Sequence, residues 1–245
     1  MAEKLVVFDL DGTLLDTLED IRGAINYALS AWSLPKVEKE KIRLYVGHGL
    51  RNALFTAISN SSVKVPEEDL PLMVELMMAT YKKHPADHTV PYPGILDMLY
   101  ALKSEGYLIG VISNKRQFLV EEIIKNILPD ISFDFIIGQS DKYPLKPDPE
   151  SLLSMMRDYG ADRNSTLYIG DSEVDYLTAK NAEVESIIVN YGFRTKEELE
   201  KSGVKVTVDD AYTLLKRIEL FFHKKWKGNF SCAFVTHKNY RKNNH

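Results

Sequence analysis

The chain has 245 residues, 44% hydrophobic and 27% charged, the composition of a globular protein with a sizeable core. Its net charge of −4 hides a contrast: residues 223–245 carry six cations and no acid, leaving 25 basic against 35 acidic residues elsewhere, and so acidic a body is a poor non-specific nucleic-acid binder. With no apolar run near the roughly 20 residues of a membrane span, no signal-peptide pattern before Asp9, and one cysteine, Cys232, the expected location is the reducing cytoplasm, away from membranes.

The first element, "KLVVFDL", is apolar, β-branched and bounded by turn residues, which predicts a short buried strand. From Glu19 to about His84 no strand signal competes with helix. Ile21, Ala24, Ile25, Ala28 and Leu29 recur at helical spacing, and "PEEDLPLMVELMMATYKKH" reads as another helix. Two glycines in "VGHGL" break this block. After "PYPGI" the pattern alternates: strands "YLIGVIS", "FDFIIG", "TLYIG" and "ESIIVN", with helices "RQFLVEEIIKNI", "PESLLSMMRDY" and "EVDYLTAKNA" between them. Such alternation predicts βαβ units in a doubly wound parallel sheet with helices on both faces. The expected divisions are an α/β core over 1–16 and 88–222, an inserted helical domain over 17–87, and a basic tail over 223–245. The tail's lysines stand among Trp226, Phe230, Phe234 and Tyr240. That pattern fits a nucleic-acid or membrane patch, but without periodicity the expectation is a poorly ordered end.

Residues two apart in a strand point the same way, so Asp9 and Asp11 are expected to project together from the carboxyl end of the first strand. Open α/β sheets place their ligands at that end. Two carboxylates so close repel unless a cation lies between them or one stays protonated. The competing reading is an ordinary Asp-Gly turn at Asp11-Gly12, which Asp9 ahead and Thr13 behind make the weaker one.

"DLDGTLLDT" resembles the first motif of the haloacid dehalogenase-like hydrolase superfamily, and the other motifs follow in order. "VISN" ends a strand with Ser113, Lys146 stands in "LKPDPESLL", and "YIGDSEVD" supplies Asp171 and Asp175. The resemblance runs from Lys4 to about Leu220. It implies a Rossmann-like core with a small α-helical cap and phosphoryl chemistry on a small phosphorylated metabolite. Asp9 would be the nucleophile forming an aspartyl-phosphate, and Asp11 the group that protonates the leaving alcohol and then deprotonates water. Mg²⁺ would sit on Asp9, the Asp11 backbone carbonyl and Asp171, with Asp175 supporting that shell. Ser113 and the backbone N–H of Asn114 would hold phosphoryl oxygens, and Lys146 would add fixed positive charge. Taken singly, Lys146 reads as a surface lysine, Ser113 as a polar strand end and Asp175 as a first-turn helix acid. The order of all four motifs is what lifts them.

Within that superfamily the chain is most similar to the phosphoglycolate phosphatase-like branch. A sugar-phosphate mutase would carry a histidine after "DT", where Glu19-Asp20-Ile21 stands, and a phosphonate hydrolase a cap lysine, where Arg51 stands. Dehalogenases lack the Asp11 equivalent. Pyrophosphatase and nucleotidase activities share this motif set and stay open, as does a monomer or a homodimer. A catalytically silent binding module is the non-enzyme alternative, disfavoured by the intact Asp9, Asp11, Lys146 and Asp171. The segment "GHGLR" is expected to close over the core with His48 and Arg51 as substrate-binding residues, Arg51 reading a carboxylate on the leaving alcohol. One departure from the family pattern is Glu183, where the helix after "GDSEVD" usually ends in glycine.

Overall fold

A computed structural model of the chain describes residues 3–226. In chain order the elements are β1 (Leu5–Phe8), β2 (Leu15–Asp16), α1 (Leu18–Ala31), α2 (Lys39–Tyr45), α3 (Leu50–Ser59), a 3₁₀ turn at Glu67–Asp69, α4 (Leu70–Lys83) and β3 (Val90–Pro91). There follow α5 (Ile95–Ser104), β4 (Leu108–Arg116), α6 (Gln117–Ile127), β5 (Phe135–Gln139), α7 (Glu150–Asp158) and β6 (Thr166–Gly170). The chain continues through α8 (Glu173–Asn181), β7 (Glu185–Val189), α9 (Lys196–Lys201), β8 (Thr207–Val208) and α10 (Ala211–Trp226). Residues 223–226, expected to open the tail, instead finish α10. The rest of the expected tail, 227–245, and with it the nucleic-acid or membrane patch, lies outside the described residues.

Six parallel strands form the main sheet in the order β5-β4-β1-β6-β7-β8. Numbered along the chain within that sheet, this is the 3-2-1-4-5-6 order of a doubly wound fold, whose order reverses between β1 and β6. The continuous apolar run of β1 follows from its position. Val6 and Phe8 enter one core cluster, Leu5 and Val7 another on the opposite face, so neither set of alternate residues meets water. Helices α5, α6 and α10 cover the first face through Leu99, Ile123 and Leu214; α7 covers the second through Leu152 and Met155. At roughly 25 cal/mol per Å² of apolar surface, burying side chains such as these is the main driving force for the fold.

Helices α1 to α4 form the inserted cap. Its ends meet at a two-stranded antiparallel ribbon, with Leu15 opposite Pro91 and Asp16 opposite Val90. Buried Asp20, one turn into α1, accepts from His88 N (3.1 Å) and Thr89 Oγ1 (2.6 Å) and ties the outgoing chain to the returning one. Cap residues Ile21, Ile25, Leu54, Met77 and Tyr81 belong to the same apolar cluster as the core's first face. The expectation for α8 is answered at its end. Glu183 adopts φ +57°, the left-handed region glycine favours, while Val184 N–H bonds Ala179 O at 2.9 Å.

Candidate active site

The β1 strand stops at Phe8, earlier than its apolar pattern suggests, and Asp9 and Asp11 occupy the loop that follows. The expected parallel projection of two strand residues therefore does not hold. Both carboxylates nevertheless line one cavity of about 30 Å³, because the loop turns back at Gly12, whose φ is +87°. A Cβ on Gly12 would lie 2.2 Å from Asp171 Oδ2, so close an approach requires glycine.

The floor of this cavity comes from the carboxyl ends of β1, β4 and β6, flanking the point where the strand order reverses. Asp9, Ser113, Asn114, Lys146 and Asp171, all singled out from sequence, line it together with Asp11. Lys146 Nζ lies 2.8 Å from Asp9 Oδ1 and 2.7 Å from Asp175 Oδ1. Asp175 is wholly buried and lies behind the floor. Its other oxygen accepts from Ser172 Oγ at 2.6 Å, and Ser172 caps α8 in a reciprocal capping box with Asp175. Asp175 is thus both a first-turn helix acid and the residue that anchors Lys146. Asp171 accepts from Phe193 N at 2.6 Å and from Thr13 Oγ1 at 3.5 Å.

Charge in this cluster is unbalanced. Oxygens of Asp9, Asp171 and Asp175 lie within 4.8 Å of one another, and all three residues are buried. Burial, with Asp175 and Asp11 adding to it against the pull of Lys146, pushes the Asp9 carboxyl up to about 7. Burial and the charges of Asp175 and Asp9 hold Asp171 well above the carboxylate range. Burial works against the Lys146 ammonium too, yet Asp175 and Asp9 outweigh it and raise its pKa. Three buried carboxylates around one ammonium are a donor set that a divalent cation suits, since it would let them stay ionised together.

Asp11 has its own partners. Its Oδ1 accepts from Thr17 Oγ1 and from Lys115 Nζ, each at 2.5 Å, and Lys115 also donates to Tyr81 OH of α4 at 2.6 Å. Lys115 is 3% exposed and lines the cavity, and sequence reasoning passed it over. A signal existed: β4 extends past Ser113 to Arg116, so Ser113 and Lys115, two apart, share a side.

The ceiling is the cap. Val46, Gly47, Gly49, Leu50 and Ala53 face the cavity. His48 and Arg51 do not line it: both are exposed, and the Arg51 guanidinium stacks on Phe55 with 5.1 Å to the ring centroid. Leu50, Ala53, Leu54 and Ala57 make the buried stripe of α3, and Arg51, one residue or about 100° on from Leu50, turns outward. The structure does not bring Arg51, expected to pair with substrate, or His48 to the cavity lining.

Three contacts seat the ceiling on the floor. Asn114 Nδ2 donates to Gly47 O (2.9 Å) and Lys146 O (3.0 Å). Arg43 of α2 clasps Glu198 (2.7 and 3.0 Å) and donates to Phe193 O, and the clasp holds the Glu198 carboxyl down at about 2. In the opposite direction Arg194 bonds Glu173 and donates to Arg43 O and Val46 O, carbonyls at the end of α2 that have no partner within the helix.

This fold and site define a hydrolase with a Rossmann-like core and a helical cap, and the comparisons agree. The sequence model of the haloacid dehalogenase-like hydrolases matches residues 6–189, and the chain belongs to that family. It is 32% identical over 203 residues to the phosphoglycolate phosphatase of Caulobacter vibrioides, covering 83% of this chain and 85% of that one. The phosphoglycolate phosphatase of Mesorhizobium japonicum is 33% identical over 218 residues, covering 87% and 95%. A crystal structure of a predicted phosphoglycolate phosphatase from Haemophilus somnus superposes with a TM-score of 0.81 at 26% identity, covering 88% and 97%. Among the described residues no helix is long and apolar enough to cross a membrane.

Proposed function

We propose that the protein is a Mg²⁺-dependent phosphatase that hydrolyses a small phosphate ester, of which phosphoglycolate is the first candidate, through a phosphorylated Asp9. The observation that carries the reading is the convergence of Asp9, Asp11, Ser113, Lys146 and Asp171 on one cavity at three strand ends. The similarity to named phosphoglycolate phosphatases supports the substrate class. We assign the core to 1–16 and 88–226 and the cap to 17–87, on the support of the β2–β3 ribbon and of α10, which runs past the expected boundary at 222.

Asp9 attacks phosphorus, the P–O bond to the alcohol breaks, and Asp11 gives that oxygen a proton. Asp11 then takes a proton from the water that attacks the aspartyl-phosphate, releasing phosphate and restoring Asp9. Ser113 and the Asn114 backbone N–H hold phosphoryl oxygens, while Lys146, fixed by Asp175, orients Asp9 and offsets negative charge. Asp9, Asp171 and the Asp11 carbonyl would hold Mg²⁺, which neutralises charge on the transferring group. Asp175, saturated by Lys146 and Ser172, keeps a supporting place.

Asp9→Asn keeps the shape and removes the nucleophile. Turnover of p-nitrophenyl phosphate is expected to fall by at least about 10⁴-fold with circular dichroism unchanged, and exhaustive chelation of the wild type should abolish activity until Mg²⁺ is restored. Substantial turnover by the variant, or by the chelated enzyme, would refute the mechanism.

A further inference from the structure

We propose that Lys115 reads a second anionic group on the substrate's leaving alcohol, and that this group draws the Lys115 ammonium off Asp11. The proposal rests on the phosphatase reading above and deepens it. It starts from asking which cation near the cavity has capacity to spare. Lys146 is shared between Asp9 and Asp175. Arg194 is spread over Glu173 and two cap carbonyls. The cap surface over the cavity is apolar side chain and glycine, and Arg51 points elsewhere. Lys115, like Lys146, has three ammonium hydrogens and two acceptors, but only one of its acceptors is a carboxylate: Asp11 Oδ1 carries charge and Tyr81 OH is a neutral phenol.

Its setting makes that spare donor effective. The Lys115 side chain is 1% exposed, and Asp11 is its one carboxylate partner. Under an apolar ceiling that excludes water, an ammonium attracts a second anion far more strongly than it would at the surface. An incoming carboxylate or phosphate competes directly with Asp11 for Nζ. When it wins, Asp11 is left on Thr17 Oγ1 alone and is free to turn toward the leaving oxygen. An ester without the second charge leaves Asp11 held by two short contacts, away from its work. The anionic group is therefore worth more in the transition state than in mere binding, and its effect belongs in kcat as well as KM.

The test compares 2-phosphoglycolate with ethyl phosphate, which replaces the carboxylate by a methyl, on the Mg²⁺-loaded full chain. Wild-type kcat/KM is expected to favour phosphoglycolate by at least about 100-fold, with a tenfold or greater share in kcat. Lys115→Met should shrink the preference below about tenfold, and Lys115→Arg should keep the larger part of it. Thermal melts followed by circular dichroism establish that each variant is folded. If neither variant folds, the wild-type ratio still decides. Equal handling of the two esters by the wild type overturns the proposal, as does a Lys115→Met variant that slows both by the same factor or a preference confined to KM. Turnover of p-nitrophenyl phosphate separates the two levels. If the wild type hydrolyses it yet treats the esters alike, only the role of Lys115 falls; if it hydrolyses none of the three, the phosphatase reading falls as well.

Discussion

On the floor of the cavity, strand ends hold Asp9, Lys115 and Asp171 and the loop before α7 holds Lys146, nearly every polar atom committed to a partner. On the ceiling, α3 and the loop before it contribute Val46, Leu50, Ala53 and two glycines, with no charged side chain of the cap facing in. The floor is rigid because its groups hold one another, and buried networks of this kind tolerate few changes. The ceiling supplies shape and dryness, and dryness strengthens each charge beneath it. We read the contrast as placing both the chemistry and the choice of substrate in the core, with the cap acting on them by excluding water.

If that division is right, floor substitutions cost activity by orders of magnitude. Asp11→Asn cannot deliver or accept a proton and leaves Lys115 without its counter-charge. It should lower kcat for an alkyl phosphate by about 10² to 10⁴-fold, and less for p-nitrophenyl phosphate, whose leaving group needs no proton. Stopped-flow and steady-state rates on both substrates check this. An Asp11→Asn enzyme within a few-fold of wild type on the alkyl ester would erase the distinction between floor and ceiling.

The contacts that seat ceiling on floor should show a smaller, pH-dependent effect. Glu198 titrates near 2 in the folded chain, against 4.5 for a free glutamate, because Arg43 bonds its carboxylate. The folded pKa is the lower one, so the pair's contribution is fully present above about 4.5 and is lost as pH falls toward 2. The pair is partly exposed, which holds its value to about 1 kcal/mol or less. Glu198→Gln should be less stable than wild type by that margin at neutral pH, and the two denaturation midpoints should converge below pH 4.5. A constant gap across the acid range would mean that the ion pair contributes nothing.

Much of the floor was legible in the sequence because its residues are tied to strand ends. Asp9, Ser113 and Asp171 each follow an apolar run that reads as a strand, and strand order then delivers them to one edge. Lys146 was legible only through its motif, since no strand precedes it directly. Lys115, Tyr81, Arg43 and Arg194 were missed, because each is defined by partners 21 to 155 residues away. No local pattern records such a pairing. Strands β2, β3 and β8, two residues each, are too short to show alternation, although together they anchor the cap and close the sheet edge. Arg51 stands apart from the cavity lining for a different reason. A basic residue after a glycine loop suggests a ligand contact, but the phase of α3 is set by its apolar stripe.

Arg51 supplies the smallest expected effect. Arg51 is exposed, touches Phe55 across a helical turn, and lies on the outer side of α3, away from Leu50 and Ala53. An exposed cation over a phenyl ring is worth about 0.5 to 1 kcal/mol, so Arg51→Ala should lower stability by no more than that. Its kcat/KM should change less than about twofold for phosphoglycolate and for p-nitrophenyl phosphate alike, since truncating a surface residue remote from the site alters neither ground nor transition state. The informative comparison is with Lys115→Met on the same two substrates. Selective loss of phosphoglycolate turnover in Arg51→Ala would show that α3 rotates or shifts to bring its polar side inward with substrate bound. The ceiling would then share in recognition, and the division drawn between the two surfaces would fail.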